Sequence, residues 1–427
     1  MTFNILLINP NTMKSPPVVP IGLEYLMTAL RKNGYNAEIL DLCFAVSPEK
    51  ELKKHLQESS YDIIGITIRN IDSSLYYNNE FYLPAIKKLI QVIKKFDIPI
   101  VLGGSGFSAM PKEILDYLEG DFGIIGPGEV IFPEFLKAWT SKQINSRLFD
   151  GWQLGLDGDL IHLRGSNVNY SQYMSNGGIV GFRTHIGCQN HCPYCIEANK
   201  KIIPEKISNI IAELSYIVDK GFNHFHLCDS EFNNDLVHSI NFCKALKESQ
   251  IELKWTLYMK PTPFNEELIR LLNETNAYLI TLTVDSDKHI QALNNYSYDD
   301  LAEFIRLCNK YGIQLVIDLL TGYPHEPFNS TKDVIKFFQK HRPTRVSVGY
   351  YYRLAKNTPL TKLITKEVAF HNKLTRPISN NENFLNPIFF SQYSQKRIEE
   401  LIADDEIFSI AGLTPGVNYQ YSEEKID

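Results

Sequence analysis

The sequence predicts an α/β protein in two parts: a doubly wound parallel sheet over residues 1–140 and a partial (β/α)6 barrel over residues 179–355. A short, mostly helical extension follows over 356–427. Three observations lead to this reading. At 427 residues the chain exceeds what one hydrophobic core usually serves. Short β-branched runs alternate with amphipathic stretches of helical period along most of its length. Polar, Gly-rich text over residues 141–178 interrupts that alternation, as a linker or lid does.

In the first part, FNILLIN reads as a strand, residues 21–32 as a helix and AEILDL as the next strand. A helix near 49–58 precedes YDIIGITI, one near 82–95 precedes IPIVLGG, one near 111–119 precedes FGIIG, and a last helix starts at Glu129. Repeated strand, helix, strand builds a parallel sheet covered on both faces, a Rossmann-like arrangement. Ligands of such sheets sit outside the carboxyl ends of the strands. Here those ends carry Asn9, then Thr67 and Arg69, then Gly103, Gly104, Ser105 and Gly106, then Gly126, Gly128 and Glu129. Small residues let a large planar or phosphate-bearing ligand approach the backbone, although glycine also ends parallel strands that bind nothing. No G-x-G-x-x-G opens a helix after the first strand, which disfavours a dinucleotide.

In the second part, strands fall near 179–186, 223–228, 253–258, 278–284, 313–320 and 345–350, with helical patterns between them. Six such units without an antiparallel hairpin signal predict a barrel or partial barrel, with its working residues at the strand carboxyl ends. Beyond about residue 360 the text is helical and polar around the aromatic stretch FLNPIFF.

The formal net charge of -6 and 22% charged residues give no electrostatic reason to expect nucleic acid or an anionic membrane as partner. The start lacks a basic stretch followed by a long apolar run, and no apolar run approaches the roughly 18 residues that span a bilayer. A cytoplasmic protein is expected. The seven cysteines are an odd number, and Cys228, Cys243 and Cys308 sit in apolar stretches, as thiols do in a reducing compartment.

Three of the seven lie in GCQNHCPYC, as Cys188, Cys192 and Cys195, just past the first strand of the second part. Three thiolates on one loop suit an iron–sulfur centre with one iron left open, or zinc with His191, His185 or a distant residue as fourth ligand. A zinc-stabilised binding protein without catalysis is therefore the alternative from a different class.

The C-x3-C-x2-C spacing with Tyr194 before its last cysteine, at the end of the first of six β/α units, resembles the radical S-adenosylmethionine (SAM) superfamily. The resemblance implies that Cys188, Cys192 and Cys195 hold a [4Fe-4S] cluster whose fourth iron is chelated by SAM. By order along the barrel it implies Asp229 and Glu231 near the methionine amino group, Lys260 near its carboxylate, Asp285 near the ribose and Gly322, in TGYP, near the adenine. An α/β domain ahead of such a barrel is similar to that of the cobalamin-binding class. The matching text is NPNTMKSPPVVPIGLEYL, YDIIGITIRNID, IPIVLGGSGFS and FGIIGPGE.

That class implies cobalamin as a further cofactor along Asn9, Thr67, Arg69, Gly103, Gly104, Ser105, Gly126, Gly128 and Glu129. The D-x-H-x-x-G motif that supplies a histidine to cobalt elsewhere is absent, and the one histidine of this domain is His55. IRNID resembles the subgroup containing a tryptophan C-methyltransferase, which implies that Arg69 faces the cobalt; a salt-bridged strand-end arginine is the plain alternative. The implied reaction is methyl transfer from SAM, via methylcobalamin, to a carbon of a small-molecule or peptide natural product. Tyr350, in YYYRLAKNTPL, is expected at the substrate pocket or packed in the barrel rim. An external one-electron reductant of flavodoxin or ferredoxin type is the expected protein partner. Non-methylating radical SAM chemistry, such as rearrangement, cyclisation or oxidation, is the nearest rival. Transfer-RNA methylthiolation needs extra cluster cysteines in the first domain, which offers only Cys43.

Overall fold

The computed structural model describes residues 3–413 and 417–418, so the end of the expected extension lies outside the described residues. The chain divides into two compact units. One comprises Met1–Ser73, Glu80–Val180 and Ala212–Phe222, the other Ser74–Asn79, Gly181–Ile211 and Asn223–Asp427.

The first unit is built on strands β1 (Asn4–Asn9), β2 (Asn36–Asp41), β3 (Ile63–Thr67), β4 (Ile100–Gly103), β5 (Phe122–Ile125) and β6 (Leu148–Asp150), in the order β2-β1-β3-β4-β5-β6. All pairs are parallel. Ile5, Leu6, Leu7 and Ile8 are fully buried, as the apolar run of a strand covered on both faces requires. The helices Ile21–Lys32 and Ile131–Thr140 bring Leu23, Met27, Leu30, Phe132, Phe135 and Leu136 onto one side of the sheet. The order reverses beside β1, which places a switch point between β1 and β3.

One expectation needs correcting. β6 lies inside the stretch read as a linker or lid, so the sheet has six strands rather than five. Three residues cannot show a period-2 pattern above the polar text around them. The same stretch packs into the unit through Leu160, Tyr170 and Tyr173, all buried. It also contributes Arg164, whose side chain has no solvent exposure. The guanidinium is paired with Glu213 through Nε and donates to the Tyr170 hydroxyl at 2.8 Å. Tyr170 in turn donates to Glu24 at 2.5 Å, and Tyr25 to Glu213 at 3.0 Å. A buried ion cluster of this kind persists because its lone pairs and protons are all engaged.

In the second unit, β7 (Val180–Phe182), β10 (His224–Leu227), β11 (Lys254–Met259), β12 (Ala277–Asp285), β13 (Gln314–Leu320), β14 (Arg345–Gly349) and β17 (Phe408–Ile410) form one sheet in the order β17-β14-β13-β12-β11-β10-β7. The pairs from β10 to β14, and β14 with β17, are parallel. Trp255 and Phe225, fully buried, both pack against Phe182, and Trp255 also meets Phe242 of the helix Leu236–Ser249. The opposite side of the same strands carries His226, Thr256, Thr281 and Asp318. Two expectations are corrected here. The seventh strand, β17, comes from the extension read as mostly helical. Two antiparallel pairs were also unforeseen: β8 (His185–Ile186) with β9 (Ile203–Pro204), and β15 (Tyr352–Arg353) with β16 (Phe389–Phe390). Strands of two or three residues carry too little periodicity to announce themselves. Among the described residues no helix is long and apolar enough to cross a membrane.

Candidate functional site

The β8–β9 pair closes residues 187–202 into a loop, and that loop holds the three thiols. Gly187 sits at φ +94°, and a Cβ there would meet the Lys201 carbonyl at 2.1 Å, so only glycine lets the chain turn. Further bonds fix the loop: Lys200 N to Cys188 O at 2.8 Å, Asn199 N to Asn190 O at 3.0 Å, and Leu360 N to Pro193 O at 2.9 Å. Cys188 is buried, Cys192 and Cys195 are half-buried, and none of the three is in a disulfide. Cys192 Sγ accepts from Asn294 Nδ2 and Cys195 Sγ from Glu197 N, each at 3.4 Å.

Burial pushes the Cys192 thiol up to about 12, with Asp285 and Cys195 adding to it. Burial likewise raises Cys195 to about 11, and it raises Cys188. Three thiols that resist ionisation together in this way lose their protons readily only to a cationic centre that replaces them. Among the described residues no three His, Cys, Asp or Glu side chains form a ready-made metal cage. The fit to iron therefore rests on the donor set, its loop and its N–H···S bonds.

The groups around the loop come from the carboxyl ends of successive strands. After β10, Glu231 is buried, and among the described residues its Oε2 has no hydrogen-bond partner. Burial raises its carboxyl to about 8, and the Lys260 charge opposes that rise. Lys260 follows β11, reaches Asn190 Oδ1 at 3.2 Å and is itself shifted down by burial, opposed by Cys188 and Glu231. A carboxyl that an approaching cation would ionise and a lysine ammonium beside the same thiol complement a zwitterionic amino-acid head. Asn233 holds this pair in place, because its side chain bonds Lys260 N and Lys260 O, each at 2.9 Å.

Asp229 behaves differently from Glu231. Its carboxylate accepts from Thr184 N at 2.8 Å, Thr184 Oγ1 at 2.5 Å and His185 N at 3.3 Å, and pairs with His185 Nδ1 at 3.0 Å. It locks the segment entering β8 and has no oxygen to spare.

After β12, Asp285 accepts from Tyr194 at 2.8 Å, and its N–H donates to Tyr296 at 2.9 Å. Burial raises its carboxyl to about 7. After β13, Gly322 at φ +77° donates its N–H to Glu326 Oε2 at 2.7 Å, and a Cβ there would lie 3.1 Å from both Gln392 and Tyr393. Tyr350 is buried among Tyr76 and Tyr351, with its hydroxyl 3.3 Å from Gln395 Oε1. The Tyr352 ring lies 5.2 Å from the Tyr194 ring of the thiol loop. Sequence reasoning missed Asn294, which lies some hundred positions from Cys192 and carries no local signal.

In the first unit, the expected residues gather at the carboxyl edge of β1, β3, β4 and β5. Asn9 is buried and donates to Asp41 at 2.8 Å. Thr67 ends β3, and Gly104, at φ +100°, passes so close to Thr67 and Ile68 that a Cβ would lie 2.7 Å from them. Ser105 donates to Arg69 O at 3.0 Å. Arg69 is exposed. Gly126, at φ +74°, has Trp152 Nε1 where its Cβ would sit, so it admits that indole. Gly128 has Leu26 at 3.4 Å, and Glu129 is buried. His55 lies with Glu38 and Tyr61 towards the opposite, amino ends of β2 and β3.

Residues 15–136 match the B12 binding domain family and residues 183–338 the radical SAM superfamily. Tryptophan 2-C-methyltransferase of Streptomyces laurentii is 22% identical, over 92% of this chain and 79% of its own. Cytidylyl-2-hydroxyethylphosphonate methyltransferase of Streptomyces wedmorensis is 23% identical, over 62% of this chain and 61% of its own. The structure of the radical SAM methyltransferase TsrM from Kitasatospora setae, with cobalamin and [4Fe-4S] cluster bound, has the same fold. Its TM-score is 0.85 at 22% identity, covering 96% of this chain and 93% of that one. The cobalamin-dependent SAM radical enzyme OxsB shares the fold with a TM-score of 0.67 at 16% identity, over 92% of this chain and 65% of that one.

Proposed function

The chain belongs to the radical SAM superfamily and carries a B12-binding domain, and on that premise we propose that it transfers a methyl group from SAM to a carbon of a small-molecule or peptide substrate. The observation that carries this reading is the juxtaposition of Cys188 with the buried Glu231 carboxyl, whose Oε2 has no partner among the described residues, and the Lys260 ammonium.

When bound, the cluster, SAM and cobalamin supply the one-electron and methyl-carrying chemistry. The chain binds, orients and shields. Cys188, Cys192 and Cys195 would ligate three irons. Glu231, with its unpartnered oxygen, would accept from the methionine ammonium, while Lys260 would pair with the methionine carboxylate. Asp285, aimed by Tyr194, would take a ribose hydroxyl, and Gly322 would bring backbone against the adenine. Asp229 supports this reading only through Thr184 and His185, as a positioning residue. Asn9, Thr67, Gly103, Gly104, Ser105, Gly126, Gly128 and Glu129 would border the corrinoid, with the Arg69 guanidinium towards cobalt. Tyr350 would contribute to the substrate wall through the aromatic group around it. Net methyl transfer turns SAM into S-adenosylhomocysteine and releases the substrate hydrogen as a proton.

The test starts with anaerobic purification, reconstitution with iron, sulfide and hydroxocobalamin, and desalting. Iron and sulfide of about four per chain, a retained corrinoid spectrum and S-adenosylhomocysteine formed from SAM are the expected results. Tryptophan is the first substrate to supply, because a TsrM structure was solved with it bound. Stoichiometric zinc would remove the cluster. 5′-Deoxyadenosine without S-adenosylhomocysteine would instead establish non-methylating radical chemistry.

A further inference from the structure

Two of the thiols accept an N–H···S bond, from donors of different kinds. For Cys195 the donor is the backbone N–H of Glu197, two residues along the same loop. For Cys192 it is the side-chain amide of Asn294, which donates from Nδ2 at 3.4 Å. Asn294 belongs to another element: it ends the helix Lys288–Leu293, to which its own N–H is bonded through Ile290 O at 3.0 Å. That helix is fixed in turn. Asp287 accepts from His289 N at 2.8 Å and Ile290 N at 3.0 Å, and Gln291 Nε2 donates to Asp285 O, at the end of β12, at 2.7 Å.

A second bond settles which way the amide points. The His191 N–H can only donate, and it meets Asn294 Oδ1 at 2.8 Å. The carbonyl end therefore faces the loop backbone and the NH2 end faces sulfur. One half-buried side chain thus grips residues 191 and 192 at two points, as an anchor for the loop and as a donor to the thiol. Substitution can separate the two. Asn294→Asp keeps an oxygen for the His191 N–H and puts a second oxygen where the donor was, whereas Asn294→Ala removes both.

We propose that Asn294 sets the reduction potential of the cluster by holding an N–H donor on Cys192 Sγ. The inference rests on the cluster reading of Cys188, Cys192 and Cys195. In the step concerned the cluster gains one electron from an external one-electron reductant, with no bond made or broken. The added negative charge spreads onto the sulfurs, so a donor there stabilises the reduced form more than the oxidised form and raises the potential. Asn294 acts through Cys192, as a positioning residue.

The experiment uses the full chain, reconstituted anaerobically with iron and sulfide, and follows the reduced cluster by electron paramagnetic resonance during a potentiometric titration. For Asn294→Ala and Asn294→Asp alike, the one-electron reduction constant is expected to fall about tenfold, a midpoint about 59 mV more negative. Iron should stay at about four per chain, since all three thiols remain. The donor is the only group that both variants lose: the alanine variant adds no charge, and the aspartate variant keeps the anchor. Asn295→Asp adds the same charge one residue on, at an exposed position with no bond to a thiol among the described residues, and should keep the wild-type midpoint. Wild-type midpoints in both Asn294 variants would overturn the assignment. So would a shift in the aspartate variant alone, which reports charge, or in the alanine variant alone, which reports the lost anchor. Loss of iron from both would make Asn294 a support of the loop and overturn it as well. Absence of iron from the wild type would instead overturn the cluster reading.

Discussion

The Tyr194 hydroxyl donates to Asp285 Oδ1 at 2.8 Å, and this bond ties the loop holding Cys192 and Cys195 to the end of β12. Asp285 is buried, so an oxygen deprived of this donor has no water to replace it. Tyr194→Phe is expected to cost about 1–3 kcal/mol in urea denaturation, the penalty of an unsatisfied buried acceptor. Iron content should stay close to wild type, because no thiol is lost.

Replacing Cys188, Cys192 or Cys195 singly by alanine should abolish retention of iron and sulfide after anaerobic reconstitution. Cys243 and Cys308 lie on the buried faces of the helices Leu236–Ser249 and Tyr298–Tyr311, where burial alone raises their thiols, and their alanine variants should retain iron. The 420 nm region of the absorption spectrum and iron assay read the difference. Loss of iron from the Cys243→Ala protein would show that the assay reports folding rather than ligation.

Arg164→Met leaves Glu24 and Glu213 buried without their shared cation. Removing one partner of such a cluster costs about 3–5 kcal/mol. The triple replacement Arg164→Met, Glu24→Gln, Glu213→Gln should recover part of that loss, since it removes the uncompensated charge as well. Denaturant midpoints of the three proteins give the comparison.

Asp318 faces the polar side of the barrel strands, where Asn418 donates to it and to Thr281, each at 3.2 Å. Burial raises its carboxyl from near 3.8 to about 6. Its ionised form therefore costs stability, a cost complete above pH 6 and relieved as pH falls from about 6 towards 3.8. Asp318→Asn should stabilise the protein by about 1–3 kcal/mol at pH 8. The gain should shrink through that acidic window, as thermal unfolding at several pH values will reveal.

Arg69 has no ion-pair partner among the described residues, so Arg69→Ala should leave folding and corrinoid content unchanged while slowing methyl transfer. Equal turnover by both proteins would remove Arg69 from the cobalt side.

Much of this was legible in the sequence. The alternation of β-branched runs with helical stretches determined two α/β parts, because each element there is long enough to carry its own periodicity. The spacing of Cys188, Cys192 and Cys195 determined the thiol loop, because thiols close in sequence need no long-range folding to meet. Glu231 and Lys260 were singled out by the resemblance to the radical SAM superfamily, matched strand by strand, and not by their own local sequence. Tertiary structure decided the rest. β6 and β17 are three residues each and gain strand identity only from a neighbour's hydrogen bonds. Asp229 and Glu231 stand two residues apart and look alike in sequence, yet one carboxyl group is consumed by Thr184 and His185 while the other keeps an oxygen that has no partner among the described residues. Tyr352 meets Tyr194, and Asn294 reaches Cys192 across a hundred residues. Such choices depend on which partner the completed fold brings within hydrogen-bonding distance, a property that no stretch of chain holds alone.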